Sequence, residues 1–439
     1  MYLRKVHIEN IRSIAKLDWE IPEGQEAGWH VVIGDNGSGK STFLRAIALV
    51  LVGLEAAQAL RQNWDDWLRK GESQGRIELN DHFRNGLFEP RPRKMMLIRQ
   101  SPGETRLAER FRDRDIRDIY KDLTFLPKNV GRRQAYLPIT AQVVPMTFSA
   151  AYGPFRRFTG GDPESEKLFH SNPLLSSHLS IFGENIALTE SLKWLKDLDY
   201  RQAKKKPEGA LLDRVKDFVN QPGFMPHHAK LTEISPDGII FTDGDGHRVL
   251  VEELSDGYRS VLSMTFELIR QMSAFFKPEQ VFSTDSSKII TQGIVLIDEV
   301  DAHLHPTWQR RIGLWFREHF PNIQFIVTTH SPLVCQAAEH GTVFRLPAPG
   351  SDEKAKMVQG VELNRLLYGN VLDAYGTELF GEDVGRSEAG KKLLQELAAL
   401  NVKEVNQGLS KAEKKKQQVL RATFPTSSPT TNGHKKKSK

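Results

Sequence analysis

Cysteine is almost absent. Cys335 stands alone in 439 residues, which excludes a disulfide framework and suits a reducing compartment. Long apolar runs are missing too: the longest, Ala46 to Leu54, contains Gly53 and falls well short of the roughly 20 residues a helix needs to span a bilayer. Met1 to Lys5 runs directly into an apparent strand, so no secretory leader and no membrane segment are expected, and the expected location is cytoplasmic. No unit repeats at a period of about 20 to 50 residues, and no heptad run is sustained. A basic body is lacking as well. Net charge is +6, but residues 411–439 hold nine Lys/Arg against one Glu, a local +8, so the residues before them sum to −2. The high pI describes a tail and gives no argument for a nucleic-acid-binding domain.

What is present begins with "VVIGDNGSGKST", residues 31 to 42. The spacing Gly34-x-x-x-x-Gly39-Lys40-Ser41 is that of a loop that cradles phosphates. Its glycines let backbone N–H groups turn inward, its lysine reaches the outer phosphates, and the Ser41 hydroxyl can hold Mg²⁺. Trp29 to Ile33 reads as a short buried strand and Thr42 to Val52 as a helix whose positive end faces the anion. This context sets the match apart from an accidental glycine-rich turn.

The length allows a large core and two to three subdomains. We expect an N-terminal lobe over 1–154, a helical insertion over 155–230, a second lobe over 231–345, a helical interaction region over 346–408 and a basic disordered tail over 409–439. "RIEL" and "KMMLIRQ" read as strands of a peripheral antiparallel sheet, and "QVVPMTFSAAYG" as a central strand. Leu188, Leu192, Leu195 and Leu198 recur at helical spacing, and Lys204-Lys205-Lys206-Pro207 follows as a solvated loop. "DGIIFTDGDGHRVLVEEL" reads as a hairpin turning at Asp243-Gly244 or Asp245-Gly246. Leu262, Phe266, Ile269 and Met272 mark one face of a long helix. "GIVLIDEV" and "IQFIVTTH" are continuous apolar strands; alternating with helices, they argue for a mostly parallel α/β sheet.

In "IVLIDEVDAHLHP" the strand Ile294 to Ile297 delivers Asp298 and Glu299 to its C-terminal edge, where open α/β sheets bind ligands. Asp298 can hold Mg²⁺ opposite Ser41, and Glu299 can deprotonate an attacking water. His330 ends another apolar strand; it fits a γ-phosphate sensor and a structural histidine equally. Ser255-Asp256-Gly257 precedes the long helix and fits either an anion-binding helix tip or an ordinary N-cap. His303 and His305, on alternate residues beside Pro306, read as shaping a helix start rather than ligating a metal.

Taken in order, these stretches resemble the ATP-binding-cassette (ABC) ATPases over nearly all of the chain up to about residue 345. Gly34 to Thr42 matches Walker A, Leu254 to Tyr258 the signature, and Ile294 to Asp298 Walker B, with Glu299 as base, Asp301 in the D-loop and His330 as switch histidine. The resemblance implies a P-loop NTPase fold with ATP and Mg²⁺ as cofactors. It gives Asn36, Gly37, Ser38, Gly39, Lys40, Ser41 and Thr42 to the nucleotide, and Ser41 and Asp298 to the metal. Catalysis falls to Glu299, His330 and Lys40. It also implies a homodimer or higher homo-oligomer in which Ser255, Asp256 and Gly257 complete the site of the other copy. "IENIRSIAKLDWEI" is similar to the RecF and SMC-like branch, which places Arg12 near the nucleotide. "LSDGYRS", "GIVLIDEVDAHLHPTWQRRI" and "FPNIQFIVTTHSP" together look like the OLD-related ATPases of anti-phage systems, the Septu ATPase subunit and its retron-associated relatives. Two departures stand out. The Q-loop glutamine has no clear match: Gln100 ends a strand, while Tyr152-Gly153 with Arg156 and Arg157 sits nearer the expected place. No second acidic cluster follows His330, since Asp352-Glu353 and Glu382-Asp383 sit among loop-like residues, and no HNH-like arrangement occurs.

The resemblance favours a slow, regulatory ATPase that dimerises around ATP and gates a separate effector, an HNH-type nuclease, in anti-phage defence. The alternative is a RecF-like repair ATPase acting directly on DNA, with Arg91, Arg93, Arg132 and Arg133 as a local patch. A transporter's nucleotide-binding subunit fits poorly, because about 210 residues separate Walker A from the signature. "LLYGNVLDAYGTELFG" reads as an interaction element or as a helical cap over the sheet.

Overall fold

The computed structural model describes residues 2–60, 62–82, 92–101, 103–109, 148–156, 173–183, 189–225, 228–235, 238–370, 374, 379 and 387–424. The chain divides into two units, residues 1–374 and 375–439. In the first, the strands are β1 (Tyr2–Ile11), β2 (Ile14–Glu20), β3 (Gly28–Ile33), β4 (Gln74–His82), β5 (Pro92–Ser101), β6 (Glu104–Glu109), β7 (Phe148–Tyr152), β8 (Lys230–Ile234), β9 (Ile239–Thr242), β10 (Arg248–Leu250), β11 (Gly293–Ile297), β12 (Ile323–Thr328), β13 (Gly341–Arg345) and β14 (Lys356–Met357). Helices of eight or more residues are α1 (Lys40–Ala59), α2 (Thr189–Ala203), α3 (Leu211–Val219), α4 (Asp256–Phe275), α5 (Pro306–His319) and α6 (Gly360–Tyr368).

The central sheet runs β14-β13-β3-β12-β11-β7, parallel except for β14. Every residue of β3, β11 and β12 is buried, which explains their unbroken apolar sequence: both faces of the sheet are covered. One face packs on α1, whose Leu44, Ile47 and Leu51 meet Val32, Leu296 and Ile326. On the other, Trp29 stacks on Phe316 of α5 with ring centroids 6.3 Å apart. A second, antiparallel sheet, β2-β1-β4-β5-β6, covers the far side of α1 through Ile8, Ile77 and Leu97. Gln324 of β12 ties the two sheets together, accepting from Leu3 N and donating to Leu3 O, both at 2.8 Å. The strands foreseen at "RIEL" and "KMMLIRQ" are β4 and β5.

By length and composition α1 could cross a membrane, but its buried run from Thr42 to Leu44 and from Ala46 to Val52 is the core between the two sheets. Gly53, at φ 79° and ψ 169°, breaks the helix where the buried run ends. The strand at 148–152 corrects one expectation. It is an edge strand of the described sheet, not a central one. It is apolar because its outer side is covered: Ala151 N donates to Ser177 O at 2.8 Å and Gly153 N to Ser180 Oγ at 3.0 Å.

Leu192, Leu195 and Leu198 are the buried face of α2, while Leu188 lies outside the described residues. Lys204 to Pro207 is exposed. The hairpin β9–β10 turns through Asp243 to His247, with Gly246 supplying the positive φ of 86°. Leu262, Phe266, Ile269 and Met272 of α4 are all fully buried.

The second unit contains an antiparallel helix pair, α7 (Glu388–Asn406) and α8 (Lys411–Thr423). Residues 411–423, assigned above to a disordered tail, are therefore helical. Ser410 and Glu413 form a reciprocal capping box, and Gln417 donates to Asn401 and Glu404 of α7. A run of lysines read as a solvated tail is the outer face of a capped helix.

Candidate nucleotide site

Because β13, β3, β12, β11 and β7 are parallel, their C-terminal ends open on one edge of the sheet. That edge gathers the phosphate loop after β3, Asp298 and Glu299 after β11, Thr329 and His330 after β12, and Gly153 to Arg156 after β7. An open parallel sheet binds ligands at this edge.

The loop has the conformation its glycines require. Gly34, Gly37 and Gly39 take φ of 155°, 78° and 100°. A Cβ on Gly34 would lie 2.7 Å from Ser38 Oγ, and one on Gly39 2.9 Å from Ser13 Oγ. Asn36 and Gly37 are exposed, Ser41 is half-buried and Thr42 buried in the first turn of α1. Gly39 caps α1 without a side-chain bond, so the first-turn N–H groups remain donors for an anion. Ser38 is 8% exposed, and its Oγ has no hydrogen-bond partner among the described residues. The Lys40 ammonium donates to the loop's own carbonyls, Gly34 O at 2.7 Å and Asp35 O at 2.9 Å. Burial lowers its pKa, opposed by the carboxylates of Asp298, Glu299, Asp35 and Asp301. An orphaned buried hydroxyl, a cradle no side chain could enter, and a cation held only by carbonyls together fit a polyphosphate.

Opposite stands the acidic turn. Asp298 is 1% exposed, and its Oδ1 accepts from Thr328 Oγ1 at 2.6 Å. The same Thr328 hydroxyl accepts the Glu299 N–H at 2.7 Å, so one threonine fixes both acids. Glu299 is half-buried with φ 47°, a left-handed backbone that costs a non-glycine residue roughly 1–2 kcal/mol. Asp301 accepts from Thr329 Oγ1 at 2.5 Å. His330 is exposed on the same edge. The donor set near the loop, the Ser41 hydroxyl and the Asp298 carboxylate, is all oxygen, as a hard cation such as Mg²⁺ prefers.

Sequence reasoning marked the place of Arg156 without foreseeing what it does. It is 4% exposed. Its Nη1 donates to Gly153 O and Asp298 O, both at 2.8 Å, its Nη2 to Glu299 O at 3.0 Å, and its Nε to Ser260 Oγ at 3.0 Å. Burial lowers its pKa to about 10 against the opposing carboxylates of Asp298, Asp301 and Glu299. Gln100 is exposed on β5 of the other sheet, and Arg157 lies outside the described residues. Thr328 and Thr329 went unnoticed as well. Two threonines ending a buried strand beside a histidine were the available signal.

The remaining candidates fall into two groups. Arg12, at φ 49° in the two-residue β1–β2 turn, lies 4.5 Å over the Trp67 ring, and its buried Nε has no partner among the described residues. Burial, then Arg45, lowers its pKa. Its neighbour Ser13 is the residue against Gly39, so this turn borders the phosphate loop. Ser255, Asp256 and Gly257, expected as signature residues, border a different element. Ser255 occupies the N-cap of α4, exposed, yet its hydroxyl makes no capping bond. Asp256 is exposed and pairs with Arg259. Gly257 abuts the turn after β11: a Cβ there would lie 2.9 Å from His303 O. The atoms nearest a Cβ on the loop's glycines belong to Ser38, Leu346, Pro349, Ser13 and Ile14. His305, in turn, caps α5, accepting from Thr307 N at 3.3 Å.

Comparison with known proteins agrees with this geometry. Residues 149–336 match the family model described as "AAA domain, putative AbiEii toxin, Type IV TA system", and residues 5–131 match one described as "AAA domain". Both matches are to ATPase domains, and a relative named as an ATPase is similar over most of the chain. It is 27% identical over 354 residues to Septu protein PtuA of Bacillus mycoides (strain KBAB4), covering 78% of this chain and 40% of that protein. It thus spans less than half the length of that relative. It is 26% identical over 417 residues to "Retron Ec83 probable ATPase" of Escherichia coli, covering 81% of this chain and 73% of that protein. Among solved structures, the SmcHead bound to the C-winged helix domain of ScpA aligns with TM-score 0.46 and 18% identity over 82% of this chain and 99% of that one.

Proposed function

We propose that this ATPase binds ATP with Mg²⁺, dimerises around the nucleotide, hydrolyses it slowly and so controls a separate nuclease effector in anti-phage defence. The observation that carries the reading is the orphaned, glycine-walled cradle at Gly34 to Lys40, on the same sheet edge as Asp298 and Glu299. Its relatives named for Septu and retron systems support the defence role.

In this reading Ser41 and Asp298 hold Mg²⁺, which neutralises charge on the phosphate oxygens. Lys40 exchanges its loop carbonyls for the outer phosphates. Asn36, Gly37, Ser38, Gly39 and Thr42 line the polyphosphate, and Arg12 adds a cation beside it. Glu299 takes the proton of the attacking water, while His330 and Asp301 order the γ-phosphate end. Ser255, Asp256 and Gly257, at the exposed tip of α4, complete the site of a second copy. Such catalysis is positioning and electrostatics, which suits a switch.

The test is Glu299→Gln in the full chain. Turnover should fall at least about 100-fold, a size reached when a single stabilising group is lost, and an ATP-dependent dimer should accumulate in light scattering. Unchanged hydrolysis would remove Glu299 from its role, and a monomer at saturating Mg-ATP would remove the dimer.

A further inference from the structure

Arg156 is the one residue whose side chain ties the catalytic turn to the signature helix among the hydrogen bonds of the described residues. Three of its bonds go to backbone carbonyls, and two of those, Asp298 O and Glu299 O, belong to the acidic turn itself. The fourth goes to Ser260, on the second turn of α4. Helix α4 also holds the main chain of residue 156, with Ser263 Oγ donating to Arg156 O at 3.5 Å. The guanidinium is a rigid planar fork, so a shift of any one partner must move the others or break a bond. No solvent is available to replace such a bond at a site this buried.

The geometry has a direction. Ser255 stands at the tip of α4 with an unused hydroxyl, and Ser260 lies five residues along, about 7.5 Å of helix rise. A ligand that pulls on the tip moves α4 as a rod. The displacement reaches Ser260, then Arg156, then the carbonyl of Glu299. Glu299 is poised to respond because its left-handed backbone is held by Thr328 Oγ1 on its N–H and by Ala302 N and Arg156 on its carbonyl, and of these only Arg156 leads to α4. A non-glycine residue in this region persists only while its surroundings impose it.

We propose that Arg156 is a positioning residue that couples the two ATP sites of the dimer. Occupancy of one site, felt at Ser255, sets the backbone of Glu299 in the other site through Ser260 and Arg156. This rests on the dimer reading above. It assigns to an arginine after β7 a link between signature and base that no bond to nucleotide or metal is needed to make.

The experiment is hydrogen–deuterium exchange on the full chain, wild type and Ser260→Ala, with Mg²⁺ and a non-hydrolysable ATP analogue, alongside steady-state ATPase. Ser260→Ala removes only the α4 end of the link. In wild type, the analogue should protect both the phosphate loop, residues 34–42, and the turn at residues 298–303. In Ser260→Ala, loop protection should persist while turn protection falls at least severalfold. The Hill coefficient for ATP, which can reach about 2 for two coupled sites, should drop to about 1 with the half-saturating concentration little changed. In an Arg156→Met background, Ser260→Ala should have no further effect, since both changes sever one path. Equal turn protection in wild type and Ser260→Ala overturns the coupling and leaves the ATPase reading intact, as does a wild-type Hill coefficient of 1. Absence of loop protection in wild type overturns the nucleotide reading itself. Arg156→Met that fails to fold leaves the Ser260→Ala comparison to decide.

Discussion

Gly257 and His303 touch: a single methyl added to the glycine would stand 2.9 Å from the histidine's carbonyl oxygen. The tip of α4 is thus packed on the turn after β11 of its own copy, at a residue whose φ is 64°. Gly257→Ala should therefore cost about 1–3 kcal/mol of stability without nucleotide, as overpacking does. Ser255→Ala should stay within about 0.5 kcal/mol, because that hydroxyl caps nothing, yet weaken the ATP-dependent dimer. Thermal melts without nucleotide and light scattering with Mg-ATP separate the two. A Ser255→Ala variant that dimerises as wild type would exclude a trans contact at that hydroxyl.

Thr328→Val keeps the shape but loses both bonds that organise the acidic pair. It leaves the Glu299 N–H without its partner, so stability should fall by about 1–3 kcal/mol. Turnover should fall further than this destabilisation explains, and the Mg²⁺ concentration for half-maximal activity should rise. Denaturant melts and a Mg²⁺ titration of ATPase rate measure these effects.

His30 gives the fold a pH dependence remote from the chemistry. It is fully buried in β3, its Nδ1 paired with Thr342 Oγ1 at 3.0 Å and its Nε2 with Glu26 O at 3.1 Å. Burial lowers its pKa from 6.5 to about 4. Between those values the unfolded chain binds the proton that the folded chain refuses, so stability rises with pH across the window. The contribution is complete above pH 6.5 and is lost as pH falls toward 4; it amounts to roughly 3 kcal/mol. Urea melts at pH 7 and pH 5 should show a smaller drop in His30→Gln than in wild type. Equal drops would exclude His30 as the source.

The charge distribution bears on the repair alternative. With −2 before residue 411, deletion of 411–439 should abolish retention on duplex DNA at low salt. Of the arginines considered for a patch, Arg93 lies half-buried on β5, and Arg91, Arg132 and Arg133 lie outside the described residues. Binding that survives the deletion with a steep salt slope would favour a chain that acts on DNA directly.

Residue order along the chain was enough to specify the elements of the site. Glycine spacing sets a backbone that side chains would block, and an apolar run ending in Asp298-Glu299 sets a buried strand that surfaces at an acid pair. Both are local facts, written within a dozen residues. The hairpin, α2, α4 and the parallel sheet were legible for the same reason. Tertiary structure alone decided what depends on partners distant in sequence. The strand 148–152 lies at an edge yet is buried, because residues 177 and 180 cover it. The lysine-rich segment 411–423 is helical because α7 pairs with its polar groups, giving acceptors to Lys416 and Gln417 and a donor to Glu413. The role of Arg156 is the clearest case: its four acceptors come from three places in the chain, and one arginine among many carries no sign of them. Periodicity and turn chemistry report a residue's neighbours along the chain, whereas a buried guanidinium is defined by neighbours that only packing brings within hydrogen-bonding distance.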